Sequence, residues 1–185
     1  MTDTEESPII SYNELVTRER QNLQKGMNYR TDGRLSVFLT SSRPNAPYKD
    51  EWREDEYLLV YEGHDVSSGQ HDKKEVDQPM HRESGKLSDN GKFYREAEAY
   101  KAGERDDPMQ IQVYEKLDSG VWFDKGVFDL VDAKQVEQEG RKVFKFYLHP
   151  TDEVRSITEN AKEYKHERMI PSWVKVEVWK RDQGR

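Results

Sequence analysis

Aromatic and acidic side chains that could bind a flat nitrogenous base lie close together in one part of the chain. They are Tyr48, Asp50, Trp52, Tyr61, Glu62 and Gly63. Two aromatic rings can hold a base between them, and a carboxylate can accept hydrogen from an exocyclic amino group. Asp50 between Tyr48 and Tyr61 therefore supplies the groups that a cytosine-type base requires. Aromatic residues beside a strand are also common in hydrophobic cores, so a purely structural role is the alternative.

Residues for enzyme chemistry do not follow any of the common catalytic patterns. The sequence lacks GxSxG, HExxH, GxxxxGK[ST] and a glycine-rich dinucleotide turn, and it contains no cysteine. Its histidines show no metal-ligand spacing, and the three in one polar stretch, His64, His71 and His81, favour solvated side chains over a metal site. We therefore expect no catalytic residue, no metal and no cofactor in this chain.

The composition favours a folded domain with a charged surface. Of the 185 residues, 36% are charged and 33% hydrophobic, but 11% are aromatic, which is unlike a disordered chain. The net charge of −7 argues against a generally basic nucleic-acid coat and is compatible with a local basic patch. No apolar run approaches the ~20 residues that span a membrane, and the acidic start MTDTEESP is unlike a signal peptide. We expect a cytoplasmic protein with no membrane partner.

Caps and periodicity predict two helices and five strands. Ser11 and Glu14 form a capping box for a helix that we expect to end at Gly26. A second helix is predicted for residues 92–102, where apolar side chains recur at helical spacing. The predicted strands are residues 35–40, 57–61, 109–117, 121–137 and 141–150.

The last three strands follow one another through short turns. Asp118-Ser119-Gly120 and Glu139-Gly140 are typical hairpin connections. Strand 141–150 has one apolar face, with Phe144 and Phe146, which we expect to meet the core. Hairpins with few crossover helices favour an α+β fold, with a curved antiparallel sheet or open barrel and flanking helices.

A long polar stretch from Gly63 to Gly91 separates two of the predicted elements. Compact domains seldom contain such a loop unless it binds something or is disordered. Length alone leaves both interpretations open.

Six segments occur in a characteristic order. They are NAPYKDEW (45–52), LLVYEGHDV (58–66), VDQPM (76–80), LSDNGKF (87–93), IQVYEKLDSGVWFDKGVFDLVDA (111–133) and RKVFKFYL (141–148). In this order they resemble the SRA (YDG) domain found at the front of prokaryotic HNH endonucleases. The resemblance implies a PUA-like fold, a crescent-shaped sheet with helices at its edges. It also implies binding of duplex DNA that contains 5-modified cytosine, with the modified base flipped out of the helix.

The resemblance assigns roles to the residues of the first cluster. Tyr48 and Tyr61 would stack on the flipped base, and Asp50 would accept a hydrogen bond from its amino group. The implied pocket is completed by Trp52, Glu62 and Gly63. Glu62 replaces a small hydroxyl residue that is common in the family, so it would affect which 5-substituent is tolerated.

A finger loop, residues 67–75, would fill the hole left in the duplex. Its expected DNA-contacting side chains are Ser68, Gln70, His71, Lys73 and Lys74. Further phosphate contacts are expected from Arg82 and Lys86, supported by Arg18, Arg20 and Lys92. Asp77 and Gln78 would form a structural loop behind the finger.

Two departures from the family pattern affect these expectations. The YDG triplet reads Phe123-Asp124-Lys125-Gly126, one residue longer, and residues 81–85 replace a shorter Asn-Arg segment. We therefore expect the geometry of the finger and of the DNA groove to differ from that of the family.

The domain organisation follows from the same comparison. Residues 1–10 are expected to be a disordered leader, 11–150 the modified-base-binding domain, and 151–185 a linker and lead-in helix to an HNH nuclease domain that this chain does not include. A simple terminal amphipathic helix is the alternative for the last part. The expected partner is double-stranded DNA with modified cytosine, with a homodimer left open, and a divalent metal only in the nuclease domain. A PUA-like RNA-binding module and a protein-interaction domain are the alternatives.

Overall fold

The computed structural model of the protein describes residues 8–66, 72–154 and 180–181. The strands are β1 (Ile9–Ser11), β2 (Met27–Asn28), β3 (Ser36–Thr40), β4 (Glu51–Arg53), β5 (Leu58–Glu62), β6 (Met109–Asp118), β7 (Val121–Gln138) and β8 (Arg141–Pro150). The helices are α1 (Tyr12–Glu19) and α2 (Asp89–Lys101), with a 3-10 turn at Glu54–Glu56. All five predicted strands and both predicted helices are present, so the α+β fold class is confirmed.

The long hairpin strands β6, β7 and β8 form the middle of one open sheet. The strand order is β2-β3-β6-β7-β8-β5-β4, and β1 pairs with the start of β7. Strand β8 pairs with β7 only from residue 128 of β7 onward. Residues 121–123 of β7 pair instead with β1 along that edge. The β7–β8 turn is tight because Glu139 and Gly140 both adopt positive φ, as a two-residue hairpin loop requires.

The pairing differs from the predicted antiparallel sheet at one place. Strand β3 pairs with β6 in parallel, with Phe38 opposite Val113, whereas the other ladders are antiparallel. A parallel pair needs a long crossover, and the segment between β3 and β6 supplies one that contains β4, β5 and α2.

Two hydrophobic clusters lie on opposite faces of the sheet. Val37 and Phe38 are neighbours on β3, so their side chains point to opposite faces, and both are fully buried. Phe38 belongs to the larger cluster, where the α2 residues Phe93 and Ala97 cover the aromatic face of β8. Val37 belongs to the smaller cluster, which also contains Leu15 of α1.

The element boundaries correct three predictions. Helix α1 has the predicted capping box, but it ends at Glu19 rather than Gly26, because Arg20 adopts a left-handed conformation that stops the helix. The predicted disordered leader, residues 1–10, is wrong for its last part, because Ile9 pairs with β7 and Ile10 is buried. Helix α2 begins at Asp89, where Ser88 caps it, rather than at residue 92.

Part of the chain falls outside the described residues, and this includes residues 1–7. Of the predicted linker and lead-in helix, residues 151–185, the structure describes 151–154 and 180–181, and Lys180 Nζ lies 2.7 Å from Asp118 Oδ2. No described helix has the length and apolar character needed to cross a membrane.

Candidate nucleic-acid interface

Three of the sequence-predicted residues line one cavity of about 510 Å³. Tyr48 and Asp50 reach it from the loop between β3 and β4, and Tyr61 reaches it from β5. We call it the Asp50 cavity. Its volume lies within the range of roughly 300–1,000 Å³ that is usual for small-molecule sites. The fold therefore brings two aromatic rings and a carboxylate together, as the sequence predicts.

The Asp50 carboxylate is fixed at the cavity wall by three hydrogen bonds. Thr40 Oγ1 and the Ser41 N–H donate to Oδ2 at 2.8 and 3.2 Å, and the Glu62 N–H donates to Oδ1 at 2.9 Å. A carboxylate has about four acceptor positions, so one position is left for an amino group in the cavity. Burial raises the pKa of Asp50 from 3.8 to about 6, and the three donors limit that rise.

Tyr61 forms a rigid wall of the cavity. Its ring stacks on Phe38 with centroids 4.3 Å apart, and only 1% of the residue is exposed. Burial raises the pKa of its phenol well above 10, so the hydroxyl stays protonated. Gly26 lies against this hydroxyl, since a Cβ there would approach it to 2.5 Å. The position of the second tyrosine is therefore set before any ligand arrives.

His64 connects the two tyrosines. Its ring stacks on Tyr48 with centroids 5.0 Å apart and planes 14° apart, and its Nε2 lies 3.1 Å from the Tyr61 hydroxyl. Asn90 holds its backbone through hydrogen bonds to the N–H and the C=O, both 2.8 Å long. Burial lowers the pKa of His64 from 6.5 to about 4. The interpretation of His64 as a solvated loop histidine is therefore wrong.

The side chains of Trp52 and Glu62 do not line the Asp50 cavity. Successive strand residues point to opposite faces, so Glu62 faces away from the side on which Tyr61 lies. Lys145 Nζ donates to the Glu62 carboxylate at 2.9 Å and Gln138 Nε2 at 3.0 Å. Burial raises the pKa of Glu62, but these donors outweigh it and hold the pKa below its ordinary value.

Trp52 packs on the core rather than on the cavity. Its ring meets Phe128 edge-on at a centroid distance of 6.0 Å, and Lys125 Nζ lies 5.1 Å from the ring centroid. The predicted contributions of Trp52 and of the Glu62 side chain to the base pocket are corrected on these grounds.

Gly63 serves the packing behind the cavity. A Cβ at this position would come within 2.7 Å of Gln78 Oε1 and Asn90 Oδ1 and within 2.9 Å of the Phe144 Cβ. Gln78 is buried, and its side chain donates to the Gly63 C=O at 2.6 Å and accepts from the Phe144 N–H at 2.8 Å. The close approach explains why glycine follows the second tyrosine and Glu62.

Comparison with known proteins identifies the fold. No protein-family model matches the chain, and no curated protein matches its sequence. The structure of the SUVH5 SRA domain bound to fully hydroxymethylated CG DNA superposes with a TM-score of 0.52 at 15% identity, covering 77% of this chain and 85% of that one. The SUVH5 SRA complex with hemi-methylated CG DNA gives a TM-score of 0.51 at 18% identity with the same coverage. This chain has the SRA fold.

A longer protein gives a similar result. KRYPTONITE, in complex with mCHH DNA, an H3(1-15) peptide and SAH, superposes with a TM-score of 0.52 at 16% identity. The match covers 78% of this chain and 31% of that protein. The resemblance noted in the sequence and the three-dimensional fold therefore agree.

The longer YDG segment is accommodated in the SRA fold by a β-bulge. In the β6–β7 ladder, Val113 pairs with Gly126 and Tyr114 pairs with Asp124, so Lys125 is the extra residue. The Asp124 carboxylate accepts from the Gly126 N–H at 2.8 Å, which closes the bulge. The extra residue is confined to the bulge, and the strand pairing on both sides of it is intact.

Of the predicted finger loop, residues 67–75, the structure describes only residues 72–75. Ser68, Gln70 and His71 lie outside the described residues. At the far end, Lys74 Nζ pairs with Asp65 Oδ2 at 2.8 Å, donates to the Pro47 C=O at 2.6 Å, and lies 4.5 Å from the Tyr48 ring centroid. Lys74 is therefore engaged at the rim of the Asp50 cavity rather than free for phosphate.

Other predicted DNA contacts vary in their environment. Lys73 and Lys86 are exposed, whereas Arg82 Nη2 lies 3.3 Å from Asp89 Oδ1, and Arg82 lines a separate polar groove of about 450 Å³.

In the structural loop, the Asp77 carboxylate accepts from the Lys142 N–H at 2.7 Å. Asp77 and Gln78 together fasten this segment to β8. Within the described part of the chain, no group of three potential ligands could hold a metal ion.

Proposed function

We propose that this chain is a cytoplasmic recognition module that binds duplex DNA containing 5-modified cytosine. The modified base would leave the duplex and enter the Asp50 cavity between Tyr48 and Tyr61. One observation carries the proposal: these three side chains converge on a single cavity in a fold whose solved neighbours hold methylated or hydroxymethylated DNA.

The energetics of flipping agree with this arrangement. Unstacking and unpairing a base costs a few kcal/mol. Stacking on an aromatic side chain returns about 1–3 kcal/mol per base, and the open acceptor position of Asp50 adds a hydrogen bond to the exocyclic amino group. Tyr61 and Asp50 are held by the core and by three donors, so little ordering is needed when the base arrives.

In the whole protein, we propose that the module targets an HNH nuclease to modified DNA. The support is the similarity of residues 170–185 to the lead-in of an HNH domain and the order of the six segments. The divalent metal required for cleavage would then belong to that nuclease domain and not to this chain.

The test is a binding titration at moderate salt with four duplexes that differ at one base. They carry cytosine, 5-methylcytosine, 5-hydroxymethylcytosine or glucosylated 5-hydroxymethylcytosine. We expect a clear preference for a modified duplex that Asp50→Ala abolishes. Asp55→Ala is the matched control, because Asp55 is exposed in the same acidic stretch. Equal binding to all four duplexes, or stronger competition by RNA, would instead favour the alternatives of an RNA-binding or protein-binding module.

A further inference from the structure

Three basic side chains line the Asp50 cavity, and they come from three separate parts of the chain. Lys25 lies between α1 and β2, Arg43 lies in the loop after β3, and Lys116 lies in β6. Lys25 and Arg43 are exposed and Lys116 is half-buried, whereas Tyr61 is buried. The basic groups therefore surround the mouth of the cavity. Nothing in the sequence groups them, since only the fold brings them together.

These three cations have no ion-pair partner among the described residues, although Arg43 helps to lower the pKa of Asp118, a carboxyl that is paired with Lys180. Within residues 8–66, 72–154 and 180–181, no carboxylate lies at ion-pair distance from any of them. Lys116 Nζ faces the Trp122 ring at 5.7 Å, and Arg43 Nε donates to Ser41 Oγ at 3.2 Å. Neither contact is an ion pair.

Several cations predicted from the sequence to touch phosphate are in a different situation. Lys74 is paired with Asp65, Arg82 and Lys92 with Asp89, and Arg18 with Asp124. In a chain of net charge −7, three cations without an ion-pair partner among the described residues lie around one opening. They place positive charge at one opening of a chain that is acidic as a whole.

The chemistry of a nucleotide fits this distribution of charge. A nucleotide that enters a cavity with its base first leaves the phosphodiesters on either side of its sugar at the mouth. Phosphate contacts fix the position of a nucleic acid without reading its sequence. The carboxylate of Asp50 would repel phosphate, and it lies inside, where the amino edge of the base would come.

We propose that Lys25, Arg43 and Lys116 form a clamp for the phosphodiesters that flank the flipped nucleotide. This inference rests on the proposed function, because it assigns the cations to the same cavity. The clamp supplies affinity and salt dependence, and the Asp50 cavity supplies discrimination between modified and unmodified cytosine. The two roles are therefore separable by experiment.

The experiment measures the affinity of the full chain for a 5-methylcytosine duplex and for its unmodified counterpart over a series of salt concentrations. The variants are Lys25→Gln, Arg43→Gln, Lys116→Gln and the triple combination. Each lost phosphate contact should reduce the slope of log affinity against log salt by about 0.9. We expect the triple variant to bind both duplexes roughly tenfold or more weakly, with the ratio between them unchanged.

Two controls keep the outcome specific. Lys101→Gln removes a cation that is already paired with Glu98 and Asp132, and it should leave the slope unchanged. Lys116→Arg keeps the charge and should restore the slope. A triple variant with the wild-type slope and the wild-type preference would overturn the clamp while leaving the proposed function intact. A triple variant that loses the preference for the modified duplex but keeps the wild-type slope would also contradict the clamp. A wild-type chain without any preference would contradict the proposed function itself.

Discussion

The Tyr61 hydroxyl and His64 Nε2 lie 3.1 Å apart, and this contact ties one wall of the Asp50 cavity to the other. His64 also stacks on Tyr48, so a single partly buried imidazole contacts both tyrosines. The imidazole is neutral at pH 7, because burial lowers its pKa to about 4. A neutral ring can hydrogen-bond to the phenol without placing a charge beside the base.

The first prediction concerns this imidazole. His64→Ala removes one stacked pair and one hydrogen bond, which are each worth about 1 kcal/mol, so affinity for a modified duplex should fall roughly tenfold or more. His64→Gln keeps a hydrogen-bonding group near Tyr61 and should recover part of the loss. Binding titrations measure both effects. His149→Ala, which changes an exposed histidine, serves as the control, and an unchanged His64→Ala affinity would show that the tyrosines are positioned by other means.

The second prediction concerns the pH dependence of binding. Burial raises the pKa of Asp50 to about 6, and the ionised carboxylate is the better acceptor for an amino group. Affinity for a modified duplex should therefore rise as the pH increases through about 6. Asp50→Asn cannot titrate and should lose this step. An identical step in Asp50→Asn would assign it to a different group.

The third prediction is that the same carboxyl affects folding stability with the opposite sign. Folding raises the pKa of Asp50 from 3.8 to about 6. The contribution of this carboxyl to the free energy of unfolding is therefore fully present below pH 3.8 and is lost as the pH rises through about 6. The change corresponds to at most about 3 kcal/mol. Urea unfolding of the wild type and of Asp50→Asn between pH 4 and 7 isolates this contribution as the difference between the two curves. Parallel curves would argue against it.

The fourth prediction concerns the buried charges behind the cavity. Glu62, Arg141 and Lys145 are all nearly buried, and Lys145 Nζ lies 2.9 Å from the Glu62 carboxylate. Removing one partner of a buried pair costs about 3–5 kcal/mol, so Glu62→Gln should lower the free energy of unfolding by an amount near the bottom of that range. Its preference among modified bases should stay the same. A stable variant with an altered preference would support the role for Glu62 that the sequence suggested.

The fifth prediction concerns Gln78. Gln78→Leu keeps the approximate volume of the side chain but leaves the Gly63 C=O and the Phe144 N–H without their hydrogen bonds to Gln78. Each lost hydrogen bond should lower the free energy of unfolding by at most about 1–3 kcal/mol. Gln135→Leu, at an exposed position of β7, should change stability by less than about 0.5 kcal/mol. Thermal or urea unfolding compares the two. Equal stabilities would mean that water replaces the lost partner.

Local signals predicted much of the fold. The capping box at Ser11 and the hairpin turns of β6, β7 and β8 depend on neighbouring residues, and the structure confirms them. The parallel pairing of β3 with β6 joins residues more than 70 positions apart, for example Phe38 and Val113, and no local pattern encodes it. The end of α1 was missed because Arg20 adopts a left-handed conformation that glycine usually supplies.

The candidate site was predictable only in part. Tyr48, Asp50 and Tyr61 were found because their chemistry is distinctive. The orientation of Glu62 follows from the two-residue period of a strand, since its neighbour Tyr61 faces the cavity side. The role of His64 depends on Asn90, which is 26 residues away, so no local sequence pattern could reveal it.

The most direct test of the central claim is an NMR spectrum of a duplex with one 13C-methyl-labelled 5-methylcytosine bound to the full chain. A base between two aromatic rings should give a methyl resonance shifted upfield by ring currents, with nuclear Overhauser contacts to Tyr48 and Tyr61. The account predicts both signals and their loss in Asp50→Ala. A bound duplex whose methyl group keeps its stacked, B-form resonance and shows no contact with either tyrosine would contradict base flipping into the Asp50 cavity.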